Sequence, residues 1–369
     1  MEPIVNWIGN KDREAELLIS LFPGEIRNYY EPFVGSGAVY LKVKAREYFI
    51  NDRCRELAEV YRAVKGNRVQ FYRYLSSFAD AWTNIDVEYF LLSDYLISAY
   101  KAFRTEQTNF TDMNSEVAAY LARIPYEHIF PIRLTDNYSF EMEKRFWVVK
   151  KFISMHREES DGGSYDDAKI LKKLRTALKC SVYAYLQNIY NRHKELDDLR
   201  TALFYFLMTY NASAAYLMDK HHEFRVPYIG EKGNDRSLDN RIIGLKNPDL
   251  REKLNHSYIG GSDFATFLAR TKPRKEDFIF IDPPEPGNYI QNGGWEFTPK
   301  DYDRLQNYIH FHCSSRWMMV LRNTEKMRDI IFGEEAFAYT GFNKYDLKLV
   351  DLEDENATHI IVCNYCDGD

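Results

Sequence analysis

Five cysteines in 369 residues, odd in number and widely spaced, do not make the disulfide framework of a small secreted domain. Two of them, Cys363 and Cys366, form a C-x-x-C, but no second ligand pair accompanies them. They read as reduced thiols beside a terminal strand rather than as a structural zinc site. His221 and His222 also lack matching ligands nearby, so they read as a loop beside a cleft, and no metal is expected. No apolar run approaches the roughly 20 residues of a membrane span. The first residues, MEPIVNWIGNKDREAE, carry charges early and lack a signal peptide's apolar core. A cytoplasmic protein without a membrane partner is expected. Positive charge is not in excess either: 49 Lys and Arg stand against 55 Asp and Glu, a formal net charge of −6. That argues against a protein that coats nucleic acid without specificity, though it leaves room for a local basic groove. Internal repeats and low-complexity tracts are missing too.

What is present is a globular composition, 45% hydrophobic and 28% charged. The first 65 residues alternate strand and helix signals. In 12–21, Leu17, Leu18 and Leu21 share a helical face, and Pro23 and Gly24 end it. A short aromatic strand is expected over 27–33, then a tight turn at Gly35, Ser36 and Gly37. A helix opening in 38–45, a second strand over 47–51 ending at Asp52, and a helix over 53–65 complete the unit. This order is one half of a doubly wound sheet. From 66 to about 225 helical periods dominate. One helix covers 88–103; another covers 166–192, with Leu171, Leu174, Leu178, Val182 and Tyr185 on a buried stripe. The α/β character returns at 275, with strands over 277–281, 317–321 and 358–364 and a helix over 301–312. The expected fold class is α/β: a Rossmann-like sheet from 1–65 and 205–369, with 66–204 as a helical insertion.

Two elements carry chemistry. A glycine turn behind the first strand lets backbone N–H groups approach a ligand, and Asp52, ending the next strand, is placed for ribose hydroxyls. A simple packing turn explains the glycines equally well. Asp282 follows the buried strand DFIFI, at the mouth of an open sheet where ligands bind. Pro283 and Pro284 stiffen its loop and expose carbonyls, which suits a pair of acceptors gripping an amino group. A strand-terminating turn is the alternative.

Together with other segments in the right order, these elements resemble the Dam-like DNA adenine-N6 methyltransferases, which use S-adenosyl-L-methionine. Asn6 to Lys11 (NWIGNK) looks like that family's N-terminal segment, and Glu31 to Gly37 (EPFVGSG) matches its glycine motif. Asn51-Asp52 fits the ribose-binding position. Asn211 and Phe224 to Tyr228 (FRVPY) are similar to its Asn-rich segment. Ser262 to Phe264 looks like the adenine-contacting segment, and Asp282-Pro283-Pro284 fits the catalytic D-P-P-Y. Phe297-Thr298 and Ile361 to Tyr365 continue the likeness; 66–204 carries no matching motif.

The resemblance implies a Rossmann-like methyltransferase sheet and a set of roles. Trp7 and Lys11 would border the cofactor's methionine end, and Phe33, Gly35 and Gly37 would hold the same ligand. Asp52 would take the ribose, Asp263 the cofactor's adenine amino group, and Phe264 the adenine ring. Asp282 and the Pro283 carbonyl would grip the target amine, within a loop completed by Pro284 and Glu285. Asn211, Tyr228 and Tyr289 would lie on the substrate side. Double-stranded DNA would be the partner, in phage biology or in restriction and defence. An exocyclic amine on a purine is a poor nucleophile, and two acceptors that draw its hydrogens favour a tetrahedral nitrogen, so positioning supplies much of the catalysis.

The family's fourth motif residue is aromatic and stacks on a base flipped from the duplex; here it is Glu285. Such stacking is worth roughly 1–3 kcal/mol per base. Three readings follow: Tyr289 or Trp295 reaches back to stack, the acceptor is not a flipped adenine in DNA, or the site binds cofactor without turnover. On the last reading the chain is a binding module, with 66–204 as a surface for DNA or a protein partner. Two basic runs, Lys144, Arg145, Lys150, Lys151 and Arg157, then Lys169, Lys172, Lys173 and Lys179, are candidate DNA contacts or solvated helix faces.

Overall fold

The computed structural model describes residues 1–134, 137–284, 297–322, 346–351 and 358–365. The chain divides into two compact units, one of Met1–Arg68, Ala214–Arg225 and Gly244–Asp369, the other of Val69–Ser213 and Val226–Ile243.

The first unit is built on a seven-stranded sheet. Its strands are β1 Asn28–Glu31, β2 Glu47–Ile50, β3 Ser257–Ile259, β4 Phe278–Ile281, β5 Arg316–Arg322, β6 Asp346–Asp351 and β7 Thr358–Cys363. They lie in the order β3-β2-β1-β4-β5-β7-β6. The first five run parallel, and β7 pairs antiparallel with both β5 and β6. The chain starts at β1, winds outward through β2 and β3, and returns to place β4 on β1's other side, with Tyr29 opposite Phe278 and Tyr30 opposite Ile279. The order therefore reverses between β1 and β4, and a doubly wound sheet binds ligands outside the carboxyl ends of its strands at such a switch point. This is the expected α/β, Rossmann-like methyltransferase architecture.

Central parallel strands are covered on both faces, and every residue of β4 is buried. Side chains alternate between faces. On one face Tyr30, Ile279, Ile281, Trp317 and Met319 pack with Phe264, Phe267 and Leu305. On the other, Phe22 meets Phe278 at 4.6 Å and Phe280 at 5.4 Å between ring centroids.

Several expectations shift. The first helix is only Ala15–Ser20. Ala15 and Leu18, three apart, share its buried side, while Leu17 is 42% exposed. No helix forms over 38–45. Ala38 to Leu41 and Val43 are all buried, and turns closed from Leu41 N–H to Gly37 O and from Val43 N–H to Val39 O replace it. Four consecutive buried residues, Ala38 to Leu41, leave that turn no outer side to offer a surface helix. The helix expected at 301 starts at Pro299, held by a reciprocal Thr298–Asp301 capping box. Strands β3 and β6 are additions to the expected set.

The second unit is a helical bundle that includes Val69–Arg104, Phe110–Leu121, Asn137–Ser160, Asp167–Arg192 and Asp198–Tyr210. The boundary expected at 204 falls inside the last of these helices, which is buried from Arg200 through Tyr210. A helix apolar all round belongs inside a bundle, so the helical unit extends to Ser213. Among the described residues, no helix is long and apolar enough to cross a membrane, and no group of three His, Cys, Asp or Glu stands together to hold a metal ion. Cys363 is buried in β7, and Cys366 lies outside the described residues.

Candidate active site

A cleft with about 1030 Å3 of atom-free space, open at its mouth, lies outside the carboxyl ends of β1 and β4. It gathers Trp7, Lys11, Phe33, Gly35, Asp52, Asp282, Pro283 and Pro284, drawn from opposite ends of the sequence. Their elements explain why. Gly35 has φ +49°, and a Cβ there would stand 3.0 Å from the Trp7 indole, so a side chain would be both strained and crowded. Gly37, at φ +78°, faces away from the cleft; its Cβ would meet the Tyr61 hydroxyl at 2.5 Å. It shapes the turn and does not line the cavity. The N-terminal segment is laid across this turn by Ile4 N–H donating to Ser36 O at 3.0 Å and Ser36 Oγ donating to Asn10 Oδ1 at 3.0 Å. That brings Trp7 and Lys11 to the cleft.

Asp52 follows β2 and is nearly buried. Its Oδ2 accepts from Gly35 N–H at 3.2 Å and its Oδ1 from Cys54 N–H at 2.8 Å. Burial pushes its pKa up to about 6 against the pull of these two donors. Beside it Asn51, an unforeseen structural residue, clips two loops together. Its Nδ2 donates to Pro32 O and Ser262 O, both at 2.9 Å, and its Oδ1 accepts from Ser262 N–H at 3.1 Å.

Asp282 is 23% exposed at the end of β4, with Lys11 Nζ 3.4 Å from its Oδ2. Burial raises its pKa and the Lys11 charge works against that rise. Two further cleft residues escaped the sequence reading. Glu31, at the end of β1, is 3% exposed and accepts from the Tyr29 hydroxyl at 2.7 Å. Burial carries its pKa well above the usual carboxylate range, the Tyr29 bond opposes this, and the charge of Asp282 adds to it. Tyr302 lines the cleft and donates its hydroxyl to Pro284 O at 2.9 Å.

Asp263 and Phe264 are not among the residues lining the cleft. Asp263 caps the helix Phe264–Thr271 by accepting from Ala265 N–H at 3.1 Å. Its carboxylate is gripped by Arg304 through Nη2 at 2.5 Å and Nη1 at 3.2 Å. Arg53, a lining residue, stands 3.9 Å from it. Phe264 is buried with its ring 5.5 Å from that of Phe33, under the Arg304 guanidinium at 5.0 Å. Asn211 and Tyr228 pair across an isolated bridge within the helical unit. There Tyr228 donates to Asn234 Oδ1 at 2.8 Å. His221 sits in a turn closed by Asp219 Oδ1, which accepts from the N–H groups of His221 and Glu223. Glu285, Tyr289 and Trp295 lie outside the described residues. The basic runs are partly spent inside the helical unit. Lys144 is fully buried and donates to Leu121 O and Ile124 O. Lys179 is buried on Trp82 O and Asp86, and Lys172 and Lys173 pair with Glu231.

A family model described as D12 class N6 adenine-specific DNA methyltransferase matches residues 7–337. The chain belongs to that family. Its mostly parallel sheet is that of a methyltransferase. Among its relatives, the Type II methyltransferase M.CviBI of Paramecium bursaria Chlorella virus NC1A is 29% identical over 370 aligned residues, 99% of this chain and all of that protein. Two bacterial relatives match over shorter stretches. The Type II methyltransferase M1.LlaDCHI of Lactococcus lactis subsp. cremoris is 30% identical over 77 residues, 21% of this chain and 27% of its own length. The DNA adenine methylase of Haemophilus influenzae is 34% identical over 65 residues, 18% of this chain and 23% of its own length. The chain thus spans the whole length of the viral relative but only about a quarter of each bacterial one.

Proposed function

We propose that the cleft holds S-adenosyl-L-methionine, and that Asp282 with the Pro283 carbonyl grips the N6 amine of an adenine turned out of double-stranded DNA. One observation carries this reading: Lys11, Gly35, Asp52 and Asp282 line a single cavity at the sheet's switch point. The residues fit the cofactor. The missing side chain at Gly35 leaves backbone room beside Trp7. Asp52 presents a carboxylate whose N–H partners already fix its orientation for two ribose hydroxyls. Trp7 and Phe33 supply apolar walls. Bound there, the cofactor supplies a methyl group on a cationic sulfur.

The remaining work belongs to the protein. Asp282 accepts a hydrogen bond from one N6 hydrogen and the Pro283 carbonyl from the other, which frees the nitrogen lone pair from conjugation with the ring, and Asp282 would receive the one proton the amine sheds once methylated. Lys11 favours the ionised, accepting form of Asp282. Holding the amine in line supplies much of the acceleration.

The helical unit is our candidate surface for duplex DNA or a protein partner. Along Asn137–Ser160 the exposed positions Met142, Phe146, Lys150, Ile153 and Arg157 mix apolar and cationic side chains at helical spacing. Such a mixture suits stacking and phosphate contact. A role in restriction and modification, in a reducing cytoplasm suited to Cys54, Cys180, Cys313 and Cys363, none of them in a disulfide among the described residues, completes the reading.

The test is transfer of a labelled methyl group to unmethylated genomic DNA. Adenine should be labelled by the wild type and not by Asp282→Ala. Cofactor binding by the wild type without transfer to any DNA would refute the catalytic reading and favour a binding module.

A further inference from the structure

The Asp282-Pro283-Pro284 loop has an unusual positioning problem. Proline carries no N–H, so residues 283 and 284 cannot donate a backbone hydrogen bond to a neighbouring carbonyl. A loop that must hold two acceptors steady is thus deprived of two of the donors that ordinarily fix a turn. Among the described residues, a bond that ties it comes from a side chain 18 residues further on: the Tyr302 hydroxyl donates to Pro284 O at 2.9 Å.

That hydroxyl is rigidly aimed. Tyr302 is 1% exposed and packs in the core cluster with Leu305, its ring edge-on to Phe297 at 4.9 Å. Its helix, Pro299–Asn307, is fixed at the N-terminus by the Thr298–Asp301 capping box and along its side by Arg304 on Asp263. We propose that Tyr302 is a positioning residue for methyl transfer. Its hydroxyl occupies the Pro284 carbonyl, fixes the loop, and leaves Asp282 and the preceding carbonyl, that of Pro283, as the acceptor pair for the amine. The inference rests on the reading of Asp282 and Pro283 given above. It adds a residue that need not touch cofactor or DNA to act.

Tyr302→Phe removes one hydroxyl and keeps the ring. Losing a hydrogen bond of ordinary strength, with the loop displacement it permits, should lower kcat for labelled-methyl transfer to duplex DNA by about tenfold to a hundredfold. Calorimetry should show cofactor Kd unchanged, which separates positioning from a general weakening of the site. Leu305→Ala is the control: it loosens the same helix but leaves the hydroxyl, so it should depress the melting temperature at least as much and kcat less. Wild-type kcat in Tyr302→Phe overturns the proposal. So does an equal loss of kcat in Leu305→Ala, or a parallel loss of cofactor affinity in Tyr302→Phe. Asp282→Ala, which removes the side-chain acceptor altogether and is assayed alongside, keeps the two levels apart. If it stays active, the amine-gripping reading fails; if it is inactive while Tyr302→Phe is unimpaired, only the role of Tyr302 fails.

Discussion

The carboxyl group of Asp52 gives the cofactor reading a quantitative test. In the free protein it titrates near pH 6, because burial makes its ionised form costly. Two ribose hydroxyls donating to it would favour that ionised form, so ligand binding must pull the pKa down. Binding then expels a proton below about pH 6, and affinity rises with pH up to that value before levelling. The size follows from the titration alone. The ionised fraction falls from about nine-tenths at pH 7 to about one-tenth at pH 5, so affinity should drop about tenfold over that range, near 1.4 kcal/mol. Calorimetric titration with S-adenosyl-L-methionine at pH 5, 6 and 7, in buffers of different ionisation enthalpy, measures both the affinity and the proton. Asp52→Asn should bind more weakly at pH 7 by about tenfold or more, since a hydrogen bond to a charged group contributes roughly 1.5–3 kcal/mol. It should also lose most of the pH slope. Glu31 and Asp282 line the same cleft and are raised as well, so any slope left in the variant belongs to them. An affinity that stays flat from pH 5 to 7 in the wild type would refute the placement of the ribose on Asp52.

Removing the Lys11 charge by Lys11→Met lets the burial of Asp282 act unopposed, so its pKa climbs and the acidic limb of kcat/KM moves to higher pH; an unmoved limb in a pH–rate series would contradict the pairing. Gly37→Ala puts a methyl group 2.5 Å from the Tyr61 hydroxyl at a left-handed φ, which should cost about 1–3 kcal/mol in chemical denaturation, with part of the loss recovered in the double variant with Tyr61→Phe. Asp263→Ala should cost about 0.5–2 kcal/mol of stability as a lost helix cap, yet weaken cofactor binding less than Asp52→Asn does; the reverse ranking in calorimetry would restore Asp263 to the cofactor.

The legible part of this fold is the part written in local pattern. Strands β1, β2, β4 and β5 are runs of aromatic and branched residues between punctuating residues, and they lie within a residue or two of expectation. β3 is three residues, Ser257 to Ile259, with Tyr258 exposed; only pairing with β2 makes it a strand, and pairing is a tertiary fact. The segment 38–45 fails in the opposite sense. The left-handed glycines at 35 and 37 and the unbroken burial of Ala38 through Leu41 favour compact turns there. The site divides the same way. The glycine turn, Asp52 and Asp282-Pro283-Pro284 are short motifs at strand ends, so topology delivers them to one cleft. Tyr302 and Arg304 act across 18 and 41 residues on partners that only packing selects.

Charge was the least informative signal, for a physical reason. Counting cations along 144–157 and 169–179 treats each as solvent-facing, whereas a long helix in a bundle turns residues toward the core every three or four positions. Lys144 and Lys179 fall on those inward positions. A buried ammonium must be satisfied there: Lys144 has taken two backbone carbonyls and Glu141, and Lys179 one backbone carbonyl and Asp86. They are therefore not available to phosphate, and replacing them would loosen the bundle rather than alter DNA affinity selectively. The cations able to meet a duplex on Asn137–Ser160 are the outward ones, Lys150 and Arg157, set among Phe146 and Ile153. If this face does meet DNA, neutralising Lys150 and Arg157 together should lower the salt dependence of DNA binding by about two counterions and leave the melting temperature unchanged. A salt slope unaltered by that double substitution would remove the face from the DNA interface.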